Sequence, residues 1–386
     1  MISTGTFYES VDIQQRFIRQ LAEIDRDRIS EFISLLTGFM LEDKGRTKFI
    51  YGIAEGRSAL ALYDFLQQSS RYENIMPLTL DDPIRRYIDP EKINLVLAAT
   101  GSGETKSVIR YLEDAFKLEV PVALITANVG SRAHSMVSEY DNGYVSVLPT
   151  LTGLDRKNLS ALGSEFELKL AVMLNALIPE LYHHDRGDIN RYYAQVEHFA
   201  RNAGLLKNID AQHLGDWVDK VLNRRGNYIV DGVGRSGFVA KAFGMRLTHL
   251  GRNVFMRDGP TTPAFLRGDS YIPLSGSGNT REIIEGVVKA KLHGADVFPI
   301  MVNIDSRLSS LMDSWGLARN IMYIPVEIDD ISLYWEREMS KIVATKSVQS
   351  RPSVSEINSY VFTNAMIAQA MEMLGVSELY LKRIHV

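Results

Sequence analysis

Cysteine is absent from all 386 residues. That excludes disulfides, a thiolate nucleophile and cysteine-ligated metals. Long apolar runs are missing too. None approaches the ~18 residues of a membrane span, although 45% of the residues are hydrophobic. No lysine/arginine tract occurs, and the formal net charge of −4 gives no electrostatic reason for nucleic acid to bind. The opening "MISTGTFYES" lacks a basic segment followed by an apolar one, so no secretory leader is expected and the cytoplasm is the expected location. The histidines offer no pair at metal spacing beyond adjacent His183–His184, whose side chains diverge on a helix. No metal site and no cofactor are expected, and neither membrane nor nucleic acid is an expected partner.

What is there is a repeat. Asp25 in "LAEID" matches Asp210 in "LLKNID", an offset of 185. Gly56 in "AEGRSA" matches Gly234 in "GVGRSG", an offset of 178. Gly101 matches Gly276 and Asn128 matches Asn303, both at 175. "FELKLAVMLNALI" from Phe166 aligns with "SEINSYVFTNAMI" from Ser355, an offset of 189. Five anchors in one order, with an offset that drifts as loop insertions make it drift, predict two copies, 1–187 and 188–386. The length suits two domains.

Each copy alternates two periodicities. "KFIYGIA", "NLVLAA" and "VPVALITA" in the first, and "NYIVDGV", "SYIPLS" and "VFPIMV" in the second, are short and nearly continuously apolar. Parallel strands covered on both faces read this way. Helical stretches lie between them, such as "TREIIEGVVKAKLHG", where Ile283, Val287, Ala290 and Lys291 follow 3–4 spacing and Gly294 suits a C-cap. Segments 11–44, 189–225 and 353–381 also read as helical. The alternation predicts an α/β fold with a doubly wound, flavodoxin-like parallel sheet in each copy.

Two strand-to-helix loops nearly match: "ATGSGET" at 99–105 and "LSGSGNT" at 274–280. They fall at the carboxyl edge of the predicted sheet, where open α/β folds bind ligands. Glycine permits close backbone approach, and a helix N-terminus offers free N–H groups and partial positive charge to an anion. Ser275, Ser277 and Thr280 in one loop, and Thr100, Ser102 and Thr105 in the other, add hydroxyl donors beside Gly276, Gly278 and Gly101. Such a loop suits a phosphate monoester. In these loops no lysine follows the last glycine, which excludes a Walker loop, and each follows an interior strand of its copy and lacks GxGxxG, so neither is a dinucleotide fingerprint. A second turn, "EGRS" or "GVGRSG", places Arg57 and Ser58, and Arg235 and Ser236, at another helix start. The arginines suit phosphate or substrate oxygens. The serines serve a ligand, or cap the helix, or both.

These residues resemble the sugar isomerase (SIS) domain family. The second half is similar to the 6-phospho-3-hexuloisomerases through "GVGRSGFVAKAFGMRLTHLG" (232–251), "TTPA" (261–264), "SGSGNT" (275–280) and "VVKAKLHGA" (287–295). The first half matches through "EGRS", "TGSGET" and "LGSEFE". The resemblance implies a five-stranded parallel sheet flanked by helices in each copy. It also implies phosphate binding by Ser275, Ser277 and Thr280 with Ser236, and by Thr100, Ser102 and Thr105 with Ser58. Asn279 departs from the family's usual glutamate, whereas Glu104 keeps it. The first copy has "MPLTLDDP" (76–83) in place of "TTPA". Relatives often build sites from two SIS domains; two fused copies offer that pair within one chain, and further assembly into a homodimer is expected.

By the same resemblance the protein is a sugar-phosphate isomerase, moving a proton between adjacent carbons through an enediol. A phosphosugar-sensing module and a deaminating isomerase of amino-sugar phosphates are the alternatives. The family pattern "GTxFE" places the base at Glu167, with Glu165 beside it, and the repeat places Glu356 in the second copy. A helix-start acid stabilising the dipole is the other reading of both. His249, in the family's "MRLxHLG" run, is the candidate ring-opening acid, and His134 lies after the "NVGSR" turn.

Overall fold

The computed structural model describes residues 3–41, 46–70, 74–82, 88, 92–150, 159–160, 164–183, 189–327, 354–377 and 380. The chain divides into two compact units. One comprises Arg16–Leu154 and Glu165–His198; the other comprises Met1–Gln15, Asp155–Ser164 and Phe199–Val386. These are the first and second units, respectively.

In the first unit, β1 (Lys48–Ile53), β2 (Ile75–Thr79), β3 (Ile93–Thr100), β4 (Val122–Thr126) and β5 (Gly143–Val147) form a sheet of order β2-β1-β3-β4-β5, with every pairing parallel. The strand order reverses between β1 and β3, the switch point where this fold opens a ligand crevice. Both faces are covered. Phe49, Tyr51, Ile53, Val96, Ala98, Val122 and Leu124 pack against Val108 and Leu112 of α4 (Lys106–Lys117) and Ala133 and Val137 of α5 (Arg132–Ser138). On the other face Gly52 lies against Leu62 and Leu66 of α3 (Gly56–Ser69). Two buried faces account for the unbroken apolar runs. α2 (Arg26–Leu41) leads into this sheet and α6 (Ser164–His183) follows it, while α1 (Gly5–Arg19) belongs to the second unit as far as Gln15.

In the second unit, β6 (Tyr228–Gly232), β7 (Val254–Met256), β8 (Ser270–Ser275), β10 (Ile300–Met301) and β11 (Met322–Tyr323) repeat that order, read as β7-β6-β8-β10-β11, again all parallel. A sixth segment, β9 (Asp296–Val297), also pairs with β8. β9 and β10 share one register on β8 and are parted by Phe298 and Pro299. Proline has no N–H to give a ladder, so the fourth strand position is occupied by two pieces. α9 (Arg235–His249), α10 (Arg281–Leu292) and α11 (Arg307–Ser314) connect the strands. The predicted α10 face is buried at Ile283, Val287 and Ala290, but Lys291 is exposed and Gly286 takes the fourth buried place. The predicted C-terminal helix is α12 (Val354–Leu374), buried on almost every side. Residues 353, 378–379 and 381 of that expectation lie outside the described residues. α7 (Asn190–Leu205) and α8 (Ala211–Leu222) precede β6. Among the described residues no helix is long and apolar enough to cross a membrane.

The repeat anchors acquire physical reasons. Asp25 accepts the N–H groups of Asp27 and Arg28, and Asp210 accepts that of His213 at 2.7 Å, so both cap a helix. At the far end of α10, Gly294 (φ 79°) closes a Schellman motif, with Ala295 N–H donating to Ala290 and Gly294 N–H to Lys291. The same bonds close α4, Val120 to Ala115 and Glu119 to Phe116. There the left-handed residue is Glu119, at φ 55°. A side chain in that conformation costs about 1–2 kcal/mol, part of which glycine's greater unfolded-state freedom takes back. Glu119→Gly should therefore raise unfolding stability by about 0.5–1 kcal/mol, measured by urea denaturation. Gly294→Glu should lower it. Stability unchanged or reduced in Glu119→Gly would show that the left-handed residue carries no such strain.

Candidate active site

The two glycine–hydroxyl loops are built alike. Each continues the central strand of its sheet. β3 ends at Thr100 and β8 at Ser275, while Thr105 and Thr280 sit at the N-caps of α4 and α10. In the second unit Gly278 N–H donates to Ser275 Oγ (3.1 Å) and Asn279 N–H to Ser277 Oγ (3.1 Å), and the Ser277 and Thr280 hydroxyls lie 3.4 Å apart. In the first, Gly103 N–H donates to Thr100 Oγ1 (3.2 Å) and Glu104 N–H to Ser102 Oγ (3.2 Å), and Thr100 and Thr105 share a hydroxyl contact of 3.0 Å. These bonds fix the oxygens as acceptors. A hydroxyl so placed keeps its O–H to donate, which is what a phosphate oxygen accepts.

Each loop is held from the next strand–helix turn. Asn128 Nδ2 donates to Ser102 O at 2.9 Å and Asn303 Nδ2 to Ser277 O at 3.2 Å. Glu104 Oε1 accepts Arg132 N–H, and Asn279 Oδ1 accepts Arg307 N–H. Amide and carboxylate perform one task here, so the Asn279 departure leaves the loop's support intact. Gly103 (φ 70°) and Gly278 (φ 62°) close each loop against Ser131 and Ser306, where any Cβ would collide with the serine side chain. The asparagines were legible as repeat anchors, but their clasping role was not.

The second turn corrects one reading. The N-cap positions of α3 and α9 are Glu55 and Gly234, and neither makes a side-chain cap bond. Ser58 and Ser236 lie inside the first turn and are not caps. Gly56 (φ 58°) and Gly234 (φ 61°) supply the left-handed step from strand to helix.

The arginines and the glutamates, proposed separately from sequence, meet. Arg57 Nη2 lies 2.9 Å from Glu167 Oε1, and Arg235 Nη2 lies 3.2 Å from Glu356 Oε2. Each pair joins the first turn of the helix after the first strand to the first turn of a long, buried helix, α6 or α12. Ser236 Oγ also donates to Glu356 Oε1 at 3.3 Å. Glu165 turns elsewhere, accepting from the fully buried Lys169 Nζ at 2.7 Å. In the first unit Phe166 connects the pair to the loop. A Cβ on Gly101 would stand 3.0 Å from the Phe166 ring. The loop thus rests on the residue preceding Glu167.

Glu167 is 7% exposed, and its Oε2 is buried with no hydrogen-bond partner among the described residues. Burial pushes its carboxyl up to about 7, against the lowering effect of Arg57.

Other predicted residues are not brought to this place. His249 ends α9, about 20 Å along the helix from Ser236 at 1.5 Å per residue. His134 lines a separate cavity of about 680 Å³ with Glu23, Arg28 and Tyr144. The side chain of His183 and all of His184 lie outside the described residues. A further cavity of about 840 Å³ in the first unit is lined by Glu55, Gly56, Tyr63, Asp81, Ser107 and Arg110. Gly56 and Ser107 place it at the carboxyl edge, between the starts of α3 and α4. Burial and then the Asp81 charge push the Tyr63 hydroxyl up to about 12, so it remains a donor. In the second unit the apolar reading of "NYIVDGV" missed Asp231. Its Oδ2 accepts from the buried Tyr271 hydroxyl and from Arg257 Nη1 (2.9 Å). Among the described residues no group of three or more His, Cys, Asp or Glu is placed to hold a metal.

No family model matches the chain. Over 187 residues it is 31% identical to the 3-hexulose-6-phosphate isomerase of Bacillus subtilis, across 48% of this chain and 90% of that protein. The chain belongs to the SIS family. The SIS relative from Methylomonas aminofaciens, also named 3-hexulose-6-phosphate isomerase, is 28% identical over 178 residues, 46% of this chain and 89% of its own. The crystal structure of tagatose-6-phosphate ketose/aldose isomerase from Escherichia coli superposes over 95% of this chain and 94% of its own, with a TM-score of 0.59 at 14% identity. At that identity the likeness establishes the SIS architecture along the chain and no more.

The raised Glu167 carboxyl has a consequence for stability. A folded value of about 7 against an unfolded value of 4.5 means that the folded state binds this proton more tightly. Its contribution is fully present below pH 4.5 and is lost as pH rises toward and through 7. Glu167→Gln removes that term. The melting temperature of the variant relative to the parent should therefore increase from pH 5 to pH 8, followed by differential scanning calorimetry. A difference that stays constant, or falls, would show that the carboxyl is not raised.

Proposed function

We propose that this protein is a sugar-phosphate isomerase, acting in the cytoplasm as a homodimer. It moves a carbonyl between adjacent sugar carbons through an enediol. One observation carries the reading: a buried carboxylate paired with arginine stands beside a glycine–hydroxyl loop, with Phe166 touching Gly101 in the first unit. The loop holds the phosphate, a group that does not react. Binding energy gained there orients the reacting carbons at the glutamate. The relatives' names make 3-hexulose 6-phosphate the first substrate to test, followed by aldose, ketose and amino-sugar phosphates.

Glu167 or Glu356 takes the proton from the carbon beside the carbonyl and returns it to the neighbouring carbon. Shielding from water raises a carboxylate's basicity toward neutral pH. The arginine keeps the carboxyl group oriented. Hydroxyls of Thr100, Ser102 and Thr105, or of Ser275, Ser277 and Thr280, donate to the phosphate with Ser58 or Ser236 nearby. His249 lies too far from the loop of its own unit to serve this scheme there.

The test is solvent-deuterium incorporation, read by NMR across that substrate panel. Exchange with one member is the expected result. Tight phosphosugar binding with no exchange for any member would replace the isomerase with a sensing module. Charged hydrogen bonds contribute about 1.5–3 kcal/mol each. Ser277→Ala/Thr280→Ala and Ser102→Ala/Thr105→Ala should therefore each weaken binding at their own loop by roughly one to three orders of magnitude. Binding as tight as the parent's would make that loop structural. Sedimentation velocity at micromolar concentration checks the assembly, and a single-chain mass would remove the dimer while leaving the chemistry.

A further inference from the structure

The two glutamates occupy equivalent places in unequal surroundings. Glu167 has one oxygen on Arg57 at 2.9 Å, and its other oxygen is buried and unpartnered among the described residues. Glu356 has Oε2 on Arg235 at 3.2 Å and Oε1 on the Ser236 hydroxyl at 3.3 Å. In the first unit no described hydrogen bond runs from Ser58 to Glu167. The preceding residue differs as well. It is Phe166 in the first unit, an aromatic shelf against the loop glycine, and the buried Ser355 in the second.

A base needs a lone pair that its surroundings leave open. Donors to a carboxylate stabilise the charged form and weaken it as a base, and an apolar neighbour does the reverse. Oε2 of Glu167 has an open lone pair with no cation paired to it among the described residues. Glu356 carries one donor more: Ser236 donates to its Oε1, while its Oε2, which makes no hydrogen bond of its own among the described residues, faces the Arg235 guanidinium at 3.2 Å.

The geometry points to a division of work between the two copies. Turnover takes place at the first, with Oε2 of Glu167 as the base, while the second holds a sugar phosphate at Ser275–Thr280 without turning it over. This rests on the isomerase reading. At the first copy, the carboxylate removes the proton on the carbon beside the carbonyl. The C–H electron pair becomes the enediol double bond, and the carbonyl oxygen takes a proton from solvent. The carboxyl then returns its proton to the former carbonyl carbon. The neighbouring hydroxyl becomes the new carbonyl and releases its proton to solvent. No net proton or electron is gained or lost. The raised carboxyl of Glu167 agrees with this assignment. At the second copy the tied glutamate leaves a binding site, one in which a sugar phosphate can report its concentration to the chain.

The experiment compares Glu167→Gln and Glu356→Gln in the full chain, with whichever panel member the parent exchanges. Glu167→Gln should lower kcat by about 10²–10⁴-fold and abolish the limb of the pH–rate profile that rises with pH near neutrality. Glu356→Gln should lose no more than about tenfold and keep that limb. Glucitol 6-phosphate, which has no carbonyl, tests binding by calorimetry. The parent should bind two molecules per chain, and Ser277→Ala/Thr280→Ala should bind one. Both glutamine variants should still bind two, which also shows that they fold. A Glu356→Gln loss as deep as that of Glu167→Gln, or a pH limb that vanishes with Glu356, overturns the division while the isomerase stands. A parent stoichiometry other than two overturns the second-site assignment. A parent that exchanges no substrate proton fails the isomerase reading itself.

Discussion

Arg57 and Glu167 are 110 positions apart in the chain, and both are almost wholly buried. Removing two charges from water is expensive, and their mutual attraction repays it only in good geometry. The geometry here is set at both ends by helix starts. Gly56 takes a left-handed turn after β1 and brings Arg57 into the first turn of α3. α6 begins at Ser164 and brings Glu167 into its own first turn. The pair therefore ties the sheet's switch point to the long buried helix. Loss of either partner leaves a buried charge behind, at about 3–5 kcal/mol. Phe166 and Gly101 depend on the same placement, because the α6 start that delivers Glu167 also delivers the ring on which the loop rests.

The loops show how hydroxyl residues can be both structure and reagent. Thr100 and Ser275 each accept a backbone N–H three residues on, and Ser102 and Ser277 accept one two residues on. The loop is consequently rigid before any ligand arrives. Its O–H groups need not be paid for in loop entropy when a phosphate docks. Asn128 and Asn303 extend this rigidity to the neighbouring turn, so two consecutive strand ends move as one piece.

Much of this was legible in the sequence, and the reason is locality. Helix caps at Asp25 and Asp210, left-handed glycines at Gly56 and Gly234, and the loops around Gly101 and Gly276 are all set by a few consecutive residues. A repeat preserves such motifs, and they showed as anchors. The short edge strands β2 and β5, "IMPLT" and "GYVSV", were not singled out. Each is only partly buried and carries a weaker apolar signal. Pairings across the chain were not legible. The turn after the first strand put Arg57 among the ligand-binding candidates and the family resemblance put Glu167 among the catalytic ones, and only the fold joins them. Residues 3–15 gave no sign that they pack in the second unit, where Phe7 meets Phe362 at 5.6 Å between ring centroids and Phe7 N–H donates to Gln369. The broken fourth strand was visible as Pro299 within "VFPIMV", yet an apolar run hides a missing donor.

A duplicated fold starts with two equal sites, and small changes near a carboxylate suffice to make them unequal. One pKa unit corresponds to about 1.4 kcal/mol, which is the scale of a single hydrogen bond from a hydroxyl. Ser236 reaching Glu356, where no described hydrogen bond runs from Ser58 to Glu167, is a change of that size. The phosphate loops meanwhile keep nearly identical bonding, because an anion asks the same of both. The hydrogen bonding of the loops is thus what the two copies share most closely, and the donors around the glutamate are where they differ.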